Sequence, residues 1–167
     1  MLVYSLPGTN ETLIFSDEVL KVFNESRQDA AHKRETGGQL FANIGEKTVN
    51  VVLATLPTPN DIQSRYGFVR DQVLEQRAIV KHKGRGLDYI GDWHTHPQMF
   101  PYPSGVDKRT TAKLFRQSKH NLTGFLMIII GIDPRPQGIY VGVRTRWRLS
   151  SLRSQHIHQL PSEPATL

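Results

Sequence analysis

The sequence predicts a single-domain α/β fold, a mixed β-sheet flanked by helices. Three observations predict it. The 167 residues, 38% hydrophobic and 22% charged, suffice for one buried core. Stretches of strand-like alternation or unbroken β-branched character interleave with stretches of helical spacing. Some strands follow one another directly and others are separated by a helix, so the sheet has to be mixed.

Taken in order, Glu11 to Phe15 reads as a short strand, and Ser16 caps a helix whose first turn carries Asp17 and Glu18. Val19, Leu20 and Phe23 form its buried stripe. Gln39 to Phe41 and Val49 to Leu56 make a hairpin turning around Asn43, Gly45 and Glu46. Residues 57–70, polar and opened by Pro57 and Pro59, read as a surface loop with Tyr66 and Phe68 as anchors. A helix follows from Asp71 to Lys83, with Val73, Leu74, Ala78 and Ile79 as its apolar positions and Gly84 and Gly86 as its stop. Tyr89 to His96 is a strand, and Pro97 to Pro103 is too rich in proline to be regular. Ser104 caps a helix carrying Val106, Ala112, Leu114 and Phe115. Phe125 to Ile132 is a strand covered on both faces; a turn leads to a partner strand, Ile139 to Leu149. The domain is expected over residues 1–153, and 154–167, poor in apolar side chains, as a mobile tail.

Several function classes drop out. With no cysteine there is no disulfide, thiolate cluster or cysteine nucleophile. The longest apolar run is too short for a bilayer and the N-terminus lacks secretion-signal character, so a cytoplasmic protein without a membrane partner is expected. The net charge of +6 and pI near 9.8 favour acidic partners without specifying nucleic acid, which is not the expected partner. No glycine-rich phosphate loop is present.

One stretch carries chemistry. On a strand, residues two apart share a face, so His94 and His96 present two imidazoles together while Thr95 turns away. Seven residues then loop over to Ser104, and Ser104 and Asp107 fall on one side of a first helical turn. Two imidazoles and a carboxylate form a nitrogen and oxygen set suited to zinc, and three protein ligands leave a position for water, whose pKa falls to about 7 there. Glu35, ahead of Gly37 and Gly38, is the best candidate for a general base, the glycines letting backbone and substrate approach closely. The plainer alternative is two half-buried structural histidines, an acidic helix start and a serine cap.

Glu35, His94-x-His96-Pro97 and Ser104-x-x-Asp107, in this order and spacing, resemble the JAMM signature of MPN/JAB-domain zinc metalloproteases. Glu-Thr-Gly-Gly at 35–38, Pro-Thr-Pro-Asn at 57–60 and Tyr-Ile-Gly-Asp-Trp-His-Thr-His-Pro at 89–97 extend the resemblance to small stand-alone prokaryotic members, over most of residues 11–149. The resemblance implies a curved mixed sheet of cytidine-deaminase-like fold and one catalytic Zn2+ on His94, His96 and Asp107. It implies Glu35 as the base and Ser104 as hydrogen-bond donor to the oxyanion. It also implies an isopeptidase acting on a protein conjugated through its C-terminal tail, ubiquitin-like or CD-NTase-like, as in the deconjugating peptidases of CBASS antiphage operons. A peptidase that processes a sulfur carrier and a non-catalytic MPN-like binding module are the competing readings.

Other residues carry weaker expectations. Asp92 shares the face of His94 and His96 and reads as structural, with orientation of a ligand as the sharper alternative. His32, His82, His120, His156 and His158 read as surface residues. Arg144, Arg146 and Arg148 read as a solvated strand face, or as a docking surface for an acidic partner.

Overall fold

The computed structural model describes residues 1–155. Ten strands and three helices run in the order β1 (Leu2–Ser5), β2 (Thr12–Phe15), α1 (Asp17–Glu25), β3 (Gly37–Ile44), β4 (Thr48–Ala54), β5 (Ile62–Ser64), β6 (Gly67–Val69), α2 (Gln72–Lys83), β7 (Asp88–Thr95), α3 (Gly105–Gln117), β8 (Phe125–Ile130), β9 (Ile139–Arg144) and β10 (Leu149–Ser151). Eight strands form one curled mixed sheet in the order β1-β2-β4-β3-β7-β8-β9-β10; β5 and β6 form a separate hairpin. β2–β4 and β7–β8 pair in parallel, each joined through a crossover that contains a helix, and every other pair is antiparallel. The register of β3 shifts against both neighbours near Phe41, where bulges bend the centre of the sheet.

Alternation along the strands assigns the two faces. Leu13, Phe15, Leu40, Trp93, Ile128 and Ile130 build the main core with Val19 and Phe23 of α1, all at 3% exposure or less. Phe23 links Phe15 and Trp93, with ring centroids 6.1 and 5.4 Å away. Each such large side chain contributes roughly 1.5–3 kcal/mol on burial. Phe41, Tyr89 and Phe125 lie in a second aromatic cluster, which His82 of α2 and Phe115 of α3 cover. His94 and His96 share the parity of Asp92, opposite to Trp93, and so emerge between the β5–β6 hairpin and α3.

Both predicted caps are present: the Ser16 hydroxyl accepts from the Val19 amide, and Ser104 forms a reciprocal capping box with Asp107. Several expectations change. Residues 57–70 contain the β5–β6 hairpin, held by its pairing and by the Glu35 amide donating to the Ser64 carbonyl at 2.6 Å. Tyr66, expected as an anchor, is 77% exposed at its turn. The segment from Ile139 to Leu149 is not continuous: Thr145 Oγ1 accepts from the amides of Trp147 and Arg148 and folds a turn between β9 and β10. Arg146 and Arg148 therefore stand on a turn, and do not extend a strand face with Arg144. Val73 and Val106, expected to be buried, point outward because the half-buried sides of their helices are Leu74, Ala78 and Ile79 in α2 and Ala112, Leu114 and Phe115 in α3. His82 and His120 are half-buried aromatic partners of Phe41 and Phe125 rather than surface residues.

The strand β1, unforeseen, pairs with β2, and Ser154 and Gln155 add backbone contacts to Tyr4 and Val3. The rest of the expected tail, with His156 and His158, lies outside the described residues. Among the described residues, no helix is long and apolar enough to cross a membrane.

Candidate metal centre

The end of β7 and the start of α3 bring the predicted residues together. His94 Nε2 and His96 Nε2 stand 3.1 Å apart; Asp107 Oδ1 lies 3.2 Å from the first and Oδ2 3.5 Å from the second. Ligands about 2.0–2.1 Å from a tetrahedral zinc ion are about 3.3 Å from one another; the two imidazole nitrogens stand near that separation, and each faces a different oxygen of the Asp107 carboxylate. Glu35 supplies a carboxylate oxygen within 4.8 Å of both imidazole nitrogens. The donors therefore fit a divalent metal of zinc type.

Local sequence explains each placement. Alternation puts both imidazoles on one face of β7. The capping box then orients Asp107: the Ser104 amide donates to Asp107 Oδ2 at 2.6 Å, and the Asp107 amide donates to Ser104 Oγ at 3.1 Å. Ser104 Oγ thus acts as an acceptor in the cap.

Glu35 precedes β3, whose Gly37 and Gly38 pack against backbone. A Cβ at Gly37 would lie 2.3 Å from the Trp93 carbonyl, and one at Gly38 2.1 Å from the Thr55 carbonyl. The close approach these glycines allow is thus to β7 and to the chain just past β4, not to the substrate side as expected. Thr95, fully buried, completes the joint: its Oγ1 accepts from the Thr36 amide at 3.1 Å and donates to Gln28 Oε1 at 2.9 Å. Gln28 also donates to the Arg65 carbonyl at 3.0 Å, tying the hairpin turn to the same point.

Burial pushes the Glu35 carboxyl up, against the pull of His94 and with a push from Asp107. For Asp107, burial acts upward, but hydrogen bonds from His94 and Ser104 outweigh it and hold the carboxyl well below its ordinary range. His96 is lowered by burial and by His94, which favours the neutral, ligating form.

The site opens into a cleft. Tyr66 to Arg70 form one wall, Val106, Thr110, Thr111 and Leu114 of α3 the other, with Asp92, His94 and His96 as the floor. Asp92 touches neither imidazole; Arg70 grips it at 2.9 and 2.7 Å and the Tyr89 hydroxyl donates to it at 2.8 Å. Arg70 also pairs with Glu75 Oε1 at 2.7 Å. Arg70 and Gln28 are functional neighbours that the sequence does not announce, because their partners are distant and neither belongs to a periodic pattern.

Comparison with known proteins gives the family and the fold. Residues 20–150 match the family model described as prokaryotic homologs of the JAB domain. A CD-NTase/cGAS isopeptidase of Enterobacter hormaechei is 31% identical over 136 residues, which cover 80% of this chain and 74% of the relative. One of Escherichia coli is 29% identical, covering 64% of this chain and 69% of the relative. A probable metalloprotease of Sinorhizobium fredii is 32% identical, covering 59% and 63%. A solution structure of a Desulfitobacterium hafniense protein superposes with TM-score 0.59 at 18% identity, covering 83% of this chain and 88% of that one, and so agrees in fold.

Proposed function

This chain belongs to the family of prokaryotic JAB-domain homologs, and from that premise we propose that it is a zinc-dependent isopeptidase. Its substrate is a protein joined through its C-terminal carboxyl to a lysine amine, of the CD-NTase or ubiquitin-like kind. The observation that carries this reading is the convergence of His94 and His96, 3.1 Å apart, with the Asp107 carboxylate, whose two oxygens lie 3.2 Å from His94 and 3.5 Å from His96, and the buried Glu35 beside them.

His94, His96 and Asp107 would hold the ion. When bound, zinc supplies Lewis acidity, polarising an amide carbonyl and lowering the pKa of a coordinated water to about 7. Glu35 takes the proton from the attacking water and returns it to the departing lysine amine, as the C–O bond forms and the C–N bond breaks. Its raised pKa suits a group that must both accept and give a proton. The Ser104 hydroxyl donates to the oxyanion at the tetrahedral carbon. The hairpin and α3 walls admit an extended tail.

The isopeptidase names of the relatives support a conjugate over a sulfur carrier, and with it a part in reversing conjugation in antiphage defence. An intact donor set weighs against a purely non-catalytic module. The test is cleavage of such a conjugate by zinc-loaded protein. Glu35→Gln is expected to retain zinc and lose about a hundredfold or more in rate. Full-rate cleavage by Glu35→Gln contradicts the assigned base.

A further inference from the structure

α3 carries two unlike faces. Val106, Thr110, Thr111 and Leu114 face the cleft, whereas Lys108, Arg109, Lys113 and Arg116 project on the adjoining side. There Arg144 of β9 completes a groove lined also by Ala112 and Gln117. Five cations and no acid line this groove.

The charges are not balanced locally. Asp107 is the one acid in α3, and it is engaged at the metal centre. Among the described residues, none of the five cations takes part in an ion pair. Arg109 and Lys113 are four apart, and Lys113 and Arg116 three apart, spacings at which like charges destabilise a helix. By contrast, α1 has a Lys21–Glu25 pair at the same spacing. A second observation is independent of the charge count: Arg144 Nε is buried and has no hydrogen-bond partner. A buried donor left without a partner is costly.

We propose that the α3–β9 groove docks an acidic segment of the protein substrate. The proposal rests on the isopeptidase reading and adds to it the means by which the enzyme selects a folded substrate. One helix forms the wall of the cleft and the edge of the groove, so a protein whose tail occupies the cleft spreads across α3. A nucleic acid fits less well, because no aromatic side chain lines the groove to stack on bases. Docking of this kind acts on association and is screened by salt, which confines it to about 10 Å at 0.1 M.

The test is Lys113→Glu/Arg116→Glu in the zinc-loaded full chain, assayed on a CD-NTase-type conjugate and on a short isopeptide without a protein body. The expected result is a rise of about tenfold in KM for the conjugate, with kcat unchanged and a flatter salt dependence of kcat/KM. Cleavage of the short isopeptide and the zinc content are expected to stay at wild-type values. An unchanged KM on a conjugate that the wild type cleaves overturns the docking surface and leaves the isopeptidase reading standing. If the zinc-loaded wild type cleaves neither substrate, the isopeptidase reading fails and the docking proposal fails with it. Binding is read separately with a twelve-residue glutamate peptide and with single-stranded DNA as fluorescent probes. Peptide binding that the double variant abolishes supports the proposal; DNA binding without peptide binding overturns it in favour of a nucleic-acid partner.

Discussion

Thr95 links the chain beside Glu35, the proposed base, to β7, which carries the proposed metal ligands His94 and His96, through one hydroxyl. It stands between His94 and His96 in sequence, on the opposite face, and joins the Thr36 amide to Gln28. Thr95→Val keeps the shape and leaves the buried Gln28 Oε1 without this donor, at a cost of roughly 1–3 kcal/mol. Urea denaturation is expected to show a lower midpoint at an unchanged slope, and an unchanged midpoint denies Thr95 this role. At this scale the readable residues were those whose geometry is local. Alternation places His94 with His96, and a capping box places Asp107 with Ser104. Glu35 was a candidate base from the residues and took its assigned role from the family resemblance, because the fold, not the spacing, brings it to His94 and His96. Gln28 sits in an aperiodic polar stretch and meets its partners only in the folded chain.

Among the elements, the β5–β6 hairpin is tied down by side chains outside it, Arg70 and Gln28. Arg70 follows β6 directly and clamps the hairpin to Asp92 on the floor of the cleft and to Glu75 in the first turn of α2. Arg70→Met strands a half-buried carboxylate, and breaking such a pair costs about 3–5 kcal/mol where burial is complete, less here. Hydrogen exchange is expected to speed up at the amides of β5 and β6 while β7 and β8 stay protected. Equal exchange in both proteins means that the hairpin stands without the clamp.

Glu75 gives the same cluster a pH signature. Burial pushes its carboxyl up to about 7, with Arg70 opposing and Asp92, Asp61 and Asp71 adding to the push. The folded state therefore keeps a proton that the unfolded chain releases near its ordinary value, so this contribution to stability falls as pH rises from about 4.5 to about 7. Glu75→Gln is expected to flatten the thermal midpoint over that window, and an unaltered pH profile contradicts the shift. The hairpin was hidden in the sequence because three-residue strands are too short for alternation to register. The capped helices α1 and α3 and the buried β8 were legible because cap, periodicity and apolar run agree.

For the molecule as a whole, the sheet order explains why the sequence indicated the class but not the full layout. Adjacent strands and helix-containing crossovers implied a mixed sheet, whereas the positions of β1 and β10 at its edges follow from pairings that leave no pattern. The central strands β3, β7 and β8 are mostly buried, so the candidate centre stands at the edge of the packed sheet, with α3, which carries Asp107, and the hairpin as the parts outside it. A metal that binds only the folded chain stabilises it, by about 2.7 kcal/mol at a free concentration one hundred times Kd.

The most direct measurement is zinc content after chelation and reloading, determined by elemental mass spectrometry on the wild-type chain and on Asp107→Ala. About one zinc ion per wild-type chain is expected, with a raised thermal midpoint, and both are lost in the variant. A wild-type chain that takes up no zinc, or an Asp107→Ala chain that holds it as tightly, contradicts the centre on His94, His96 and Asp107.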